Sequence, residues 1–209
     1  MRILIYLYDG VTALDAVGPY ESLSRLPGVQ IGFVARRPGF VTTGDGFLGL
    51  SADTGIEEEQ AADMLIVPGG RRAGVQRVMA DMPVLQWLAA LDATAKRTCA
   101  VGTGSLILGA AGLLEGRRAS THWGARDYLS PFGATYSPER VTEHGRFLTS
   151  AGVSAGIDLG LRLCAEIAGR EMAEAVQLSM EYDPQPPFAA GSFKNATPER
   201  LALVAKLSI

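Results

Sequence analysis

The stretch that decides the fold is Lys96 to Ala111, KRTCAVGTGSLILGAA. An apolar run, Cys99-Ala100-Val101, breaks at Gly102-Thr103-Gly104 and resumes as Ser105 to Ala111, whose composition suits a buried helix. The expected local structure is strand, sharp turn, helix. Two glycines around one residue let the chain reverse where a positive φ is needed, and they let backbone N–H groups at the helix start face a ligand. In hydrolase-like α/β folds this turn carries the nucleophile. Here it offers Gly102 and Thr103.

The flanking segments repeat the pattern. Arg2 to Tyr8 is rich in Ile, Leu and Tyr and stops at Asp9-Gly10, as expected of an interior strand buried on both faces of a parallel sheet. Val11 to Leu26 reads as a helix interrupted by Gly18-Pro19, which should bend or restart it and leave Asp15 one turn upstream of the break. Val29 to Ala35 reads as a strand, Phe40 to Leu50 as a hairpin, and Asp63 to Val67 as a short strand ending in Pro68-Gly69-Gly70. A glycine pair at the carboxyl end of a parallel strand suits ligand binding as well as a plain tight turn.

Beyond these lie helices from Val75 to Met79 and from Met82-Pro83 onward, a short strand at Arg117 to Thr121 and a short helix at Trp123 to Leu129. Two short strands turn at His144-Gly145. Helices follow at Val153 to Ala168, Arg170 to Leu178 and Pro198 to Leu207, with an extended, Pro-rich crossing at Asp183 to Pro187. Strands alternating with helices predict a doubly wound α/β fold, mainly parallel with helices on both faces and a small antiparallel excursion.

The composition fits one compact domain spanning 1–209. Of 209 residues, 47% are hydrophobic and 20% charged, with net charge −3; no basic cluster longer than a pair appears, which argues against nucleic acid. Cys99 and Cys164 lie in apolar segments without CxxC spacing, and the only histidines are His122 and His144, so no metal and no cofactor is expected. No apolar run approaches the roughly 20 residues that span a bilayer, and MRILIYLYDG lacks the flanks of a signal peptide. The expectation is a cytoplasmic protein acting on a small molecule.

Four blocks carry a resemblance to a known family. They are Leu14-Asp15-x-x-Gly18-Pro19, Val67-Pro68-Gly69-Gly70, the Val101 to Ser105 turn running into Gly112 to Trp123, and Thr149-Ser150-Ala151-Gly152-Val153-Ser154-Ala155-Gly156-Ile157-Asp158. In this order they resemble the ThiJ/PfpI superfamily, and Tyr182 to Phe188 resembles the C-terminal segment of its isonitrile hydratase branch. The resemblance implies a flavodoxin-like fold, a homodimer, and a nucleophilic Cys at the elbow. In that branch a thiolate would attack the isonitrile carbon, with water then releasing an N-formamide, and the residue matching Asp15 would shuttle the proton. Backbone N–H groups near Gly70 and Thr103 would orient substrate.

At the elbow the sequence has Gly102 where the family has Cys. Cys99 lies three residues back along the strand, roughly 10 Å away at about 3.3 Å per residue, and Thr103 and Ser105 have no activating His or Lys nearby in sequence. Three functions stay open. Asp15 could serve as general acid or base in a hydratase-type lyase reaction without a covalent intermediate, its carboxyl raised in pKa by an apolar pocket. Gly102 could replace the Cys of an otherwise ordinary isonitrile hydratase. Or the chain could bind a small metabolite without turnover. The catalytic candidate is Asp15, and the substrate-binding candidates are Gly69, Gly70, Gly102, Thr103 and His122. His122, beside Trp123, reads equally as a packed side chain; His144 reads as a solvated hairpin tip and Asp158 as a helix-dipole partner.

Overall fold

The computed structural model of the protein describes residues 1–207. In chain order the elements are β1 (Arg2–Tyr6), α1 (Ala13–Leu23), β2 (Gln30–Ala35), β3 (Gly39–Thr42), β4 (Gly49–Ala52), β5 (Thr54–Gly55), β6 (Met64–Val67), α2 (Arg72–Met79), α3 (Met82–Thr94), β7 (Arg97–Val101), α4 (Gly104–Ala110), β8 (Arg118–Ala119), β9 (Thr135–Tyr136), β10 (Val141–His144), β11 (Phe147–Ser150), α5 (Ala155–Ala168), α6 (Arg170–Ser179) and α7 (Pro198–Val204). A seven-stranded sheet has the order β10-β11-β7-β6-β1-β2-β5. All its pairs are parallel except β10 with β11 at one edge.

The continuous apolar character of β1, β6 and β7 follows from burial on both faces: Ile3, Leu4, Ile5, Leu65, Ile66, Cys99 and Ala100 are all fully buried,. Helices α1, α5 and α6 pack together as one layer and α2, α3 and α4 as the other. This is the doubly wound, flavodoxin-like α/β fold. The antiparallel excursion is β3 with β4, a sheet of its own. Its turn is fastened to the segment after β1 by hydrogen bonds from the Gly10 N–H to the Thr42 carbonyl (2.8 Å) and from the Gly44 N–H to the Val11 carbonyl (3.0 Å). No helix among the described residues is long and apolar enough to cross a membrane.

Three details differ from the sequence expectation. α1 runs unbroken through Pro19: a proline there forfeits only its own N–H bond, to the Asp15 carbonyl one turn earlier, and tertiary packing holds the rest. β9 has no counterpart in the sequence reading, two residues being too short to leave a periodic signature, and it pairs in parallel with β8, which falls within the expected strand at Arg117 to Thr121. His144 is half-buried, because its Nδ1 accepts the Arg118 N–H at 2.9 Å.

Candidate active site

Parallel pairing of β6 with β7 places the loops that follow them side by side, Pro68-Gly69-Gly70 against Gly102-Thr103. Ligands of open α/β sheets bind beyond the carboxyl ends of the strands. Gly102 has φ +54°, a left-handed conformation that costs a side-chain-bearing residue about 1–2 kcal/mol. The elbow is held from several sides. The Gly102 N–H donates to the Ser150 carbonyl at 3.0 Å, and the Gly102 carbonyl accepts the hydroxyls of Ser105 (3.0 Å) and Thr121 (3.2 Å).

Asp15, in the first turn of α1, faces this elbow. A Cβ built on Gly102 would lie 3.0 Å from Asp15 Oδ2. The carboxyl is 2% exposed. Oδ2 accepts the Gly69 N–H at 3.0 Å, while Oδ1 has no hydrogen-bond partner among the described residues. No cation among the described residues offsets the burial, so desolvation pushes the pKa up to about 8 against the weaker opposing pull of the Gly69 bond,. In the neutral acid the carbonyl oxygen takes the Gly69 N–H, and the O–H is left free to donate.

Thr103 serves as a clamp. Its hydroxyl accepts the Gly70 N–H at 3.0 Å and donates to the Gly70 carbonyl at 3.2 Å, so it is fully engaged. The Gly70 N–H, expected to orient substrate, is thereby already engaged; the Thr103 N–H has no acceptor among the described residues. Gly69 lies one residue earlier in the loop than Gly70. It does not line the cavity, and it sits behind the carboxyl, where a Cβ would fall 2.7 Å from Asp15 Oδ2 and 2.6 Å from Thr103 Oγ1. Its glycine identity is required for that close approach. Cys99 and Cys164 are buried core thiols, raised by desolvation to about 12 and about 11.

The elbow opens into a cavity of about 500 Å³ whose lining includes Asp15, Gly70, Gly102, Thr103 and His122, a size typical of small-molecule sites. His122 is a cavity residue and also a packed one: its Nδ1 accepts the Gly124 N–H at 3.2 Å and its ring lies 5.3 Å from that of Trp123. Burial lowers its pKa, which favours the neutral imidazole. The remaining wall comes from residues that the sequence did not single out, among them Arg72, Val75, Met79, Leu106 and Phe132, and from Val204, Ala205 and Leu207 near the C-terminus. Gly152 and Val153 line it as well. Asp158 lies elsewhere, paired with Arg140 and accepting the Tyr182 hydroxyl at 3.0 Å. Among the described residues no group of three or more His, Cys, Asp or Glu could hold a metal ion.

Comparison with known proteins agrees with this architecture. An isonitrile hydratase from Pseudomonas putida is 42% identical over 192 residues, covering 92% of this chain and 83% of the relative. The transcriptional regulator CdhR of Pseudomonas aeruginosa is 37% identical over 141 residues, covering 65% of this chain but 39% of the regulator. A crystal structure of a ThiJ/PfpI family protein from Pseudomonas syringae superposes with a TM-score of 0.93 at 40% identity, covering 99% of this chain and 87% of that one. The profile of the DJ-1/PfpI family matches residues 1–166. The chain belongs to the DJ-1/PfpI family.

Proposed function

We propose that the protein hydrates small isonitriles to N-formamides by acid/base chemistry through Asp15, without a covalent enzyme intermediate. The observation that carries the reading is the Asp15 carboxyl: buried, with one oxygen unpartnered and no neighbouring cation among the described residues, so that desolvation pushes its pKa up to about 8. The isonitrile hydratase similarity supplies the substrate class.

An isonitrile carbon has a lone pair and accepts a proton. The Asp15 O–H donates to that carbon, leaving carboxylate and a C-protonated nitrilium; water adds its oxygen to the same carbon, and a proton of that water returns to Asp15. The resulting R–N=CH–OH tautomerises to R–NH–CHO. One water is consumed, one formamide is released and Asp15 is restored. The Thr103 N–H, without an acceptor among the described residues, would orient the reacting group, and His122 lines the same cavity.

The test is product formation from n-pentyl isonitrile, followed by chromatography. Wild-type protein should yield N-pentylformamide, and Asp15→Asn should not. Equal turnover by the two would remove Asp15 from the mechanism, and no product from the wild type would end the hydratase reading. The similarity to a transcriptional regulator, together with the missing thiol, favours binding without turnover as the second reading. Under it, a metabolite would stabilise the protein and be recovered unchanged. Restoring Cys at position 102 separates both from a cysteine-dependent hydratase, which alone predicts that turnover appears only in Gly102→Cys.

A further inference from the structure

We propose that the segment from Phe193 to Leu207 is the specificity wall of the cavity, selecting substrates whose body is an alkyl group of several carbons. The inference rests on the hydration reading for the nature of the reacting head and on independent observations for the wall.

Val204, Ala205 and Leu207 line the same cavity as Asp15 and Gly102, although nearly 190 residues of chain separate them from Asp15. The segment is fastened to the cavity rim by contacts of its own. Phe193 stacks on Trp123, a lining residue, with ring centroids 4.9 Å apart and planes 14° apart. The Arg126 guanidinium lies 4.6 Å from the centroid of the Phe193 ring. α7 then starts at a proline, with the Thr197 hydroxyl accepting the Arg200 N–H at 3.3 Å and Arg200 donating to the Asn195 carbonyl at 2.7 Å. These contacts fix where the α7 side chains meet the cavity.

The surface presented is apolar and unfinished. Leu207 is 60% exposed although it lines a cavity, and an alkyl body lying across it would remove that area from water. The segment also lies beyond the part of the chain that the family profile matches, residues 1–166. Asp15, Gly102 and Thr103 thus come from the part of the chain that the family profile matches, and this part of the wall from residues outside it. Such a division lets chain length of the substrate be read without touching Asp15.

The experiment compares kcat/KM for n-pentyl and methyl isonitrile in the wild type, in the double variant Val204→Ala with Leu207→Ala, and in Leu203→Ala, which removes an exposed α7 leucine that does not line the cavity. The pentyl-to-methyl ratio should fall about tenfold in the double variant, the size of effect expected when a hydrophobic pocket loses contact with a few methylenes, and should stay unchanged in Leu203→Ala. An unchanged ratio in the double variant, or an equal fall in both, overturns the wall. The affinities of N-pentylformamide and N-methylformamide, measured by calorimetry on the same three proteins, keep the two proposals apart. If the wild type hydrates nothing but binds the pentyl compound more tightly, with the preference lost in the double variant, the wall stands and the hydration reading falls. Equal or undetectable binding of the two formamides by the wild type overturns the wall.

Discussion

Asp15 and Asp92 are both buried, at 2% and 5% exposure, and their surroundings are opposite. Asp92 of α3 accepts the Thr98 hydroxyl at 2.6 Å and pairs with Arg146, whose guanidinium also donates to the Asp92 carbonyl at 2.6 Å and the Ala95 carbonyl at 3.2 Å. Asp15 has one backbone N–H and an oxygen without a partner among the described residues. A carboxylate taken out of water must be paired, or it takes up a proton. Asp92 takes the first course and ties β7 and the start of β11 to α3. At Asp15 desolvation instead pushes the pKa up to about 8.

The largest effects are expected at Asp15. Asp15→Asn preserves size and the acceptor for Gly69 but removes the transferable proton, so isonitrile turnover should fall by about 10²–10⁴. Stability should move the other way. With a pKa of about 8 in the fold against an ordinary 3.8, the folded state holds the proton between these values and the unfolded state does not. Wild-type stability therefore declines as pH rises from about 4 to about 8, by on the order of 5 kcal/mol in total, and levels off above. Denaturant unfolding at pH 5 and pH 9 reads this directly: Asp15→Asn should lack the decline. A wild-type stability that is flat or rises across that window would mean that Asp15 is ionised and paired, and the contrast with Asp92 would vanish.

Asp92→Ala tests the other half. It leaves the buried Thr98 hydroxyl and the partly exposed Arg146 guanidinium short of a partner and should cost about 1–3 kcal/mol, with the pH dependence due to Asp15 left in place and turnover per folded molecule retained. A loss under 1 kcal/mol would show Arg146 to be satisfied without its partner.

The two carboxylates were not equally legible in the sequence. Asp15 drew attention through the expected break at Gly18-Pro19, which is absent because α1 runs straight through Pro19, and through the Leu14-Asp15-x-x-Gly18-Pro19 block that carries the family resemblance; its place beside the elbow comes from the start of α1, where the Thr12 N–H donates to the Gly69 carbonyl and the Gly69 N–H to Asp15. Asp92 carried no signal, because its partner Arg146 lies 54 residues away beside a hairpin turn that reads as surface. The elbow was legible because glycine doublets and apolar runs are local facts about four or five neighbouring residues. The cavity wall was not: α2, the turn at Trp123–Tyr128 and α7 meet only in three dimensions. Gly69-Gly70 was legible as a turn at the carboxyl end of β6, but not that one N–H would go to Asp15 and the other to Thr103.

Thr103→Val sharpens the comparison at the next level. It keeps the side-chain shape, deletes both bonds to Gly70 and leaves the Gly70 N–H and carbonyl short of partners, which should cost about 1–3 kcal/mol. The loop that hydrogen-bonds Asp15 would lose its clamp, so the pH-dependent decline in stability should shift along with the loss. A shift confined to overall stability would show that Thr103 supports the loop without tuning the acid.

The smallest effect belongs to Gly102. Gly102→Ala places a Cβ at φ +54° and 3.0 Å from Asp15 Oδ2, and the left-handed conformation should cost about 1–2 kcal/mol in thermal or denaturant unfolding. Gly102→Cys bears the same backbone cost but adds a thiol to the cavity lining, beside the Asp15 carboxyl. Native Cys99 and Cys164 are buried, with pKa values pushed up to about 12 and about 11, so folded wild-type protein should resist iodoacetamide. Intact mass should therefore show no adduct on the wild type and one on Gly102→Cys. Removing Asp15 from that variant should change the labelling rate, while removing Asp92 should not. Equal rates in the two would mean that the carboxyl facing the elbow is as remote from its chemistry as the one that staples α3.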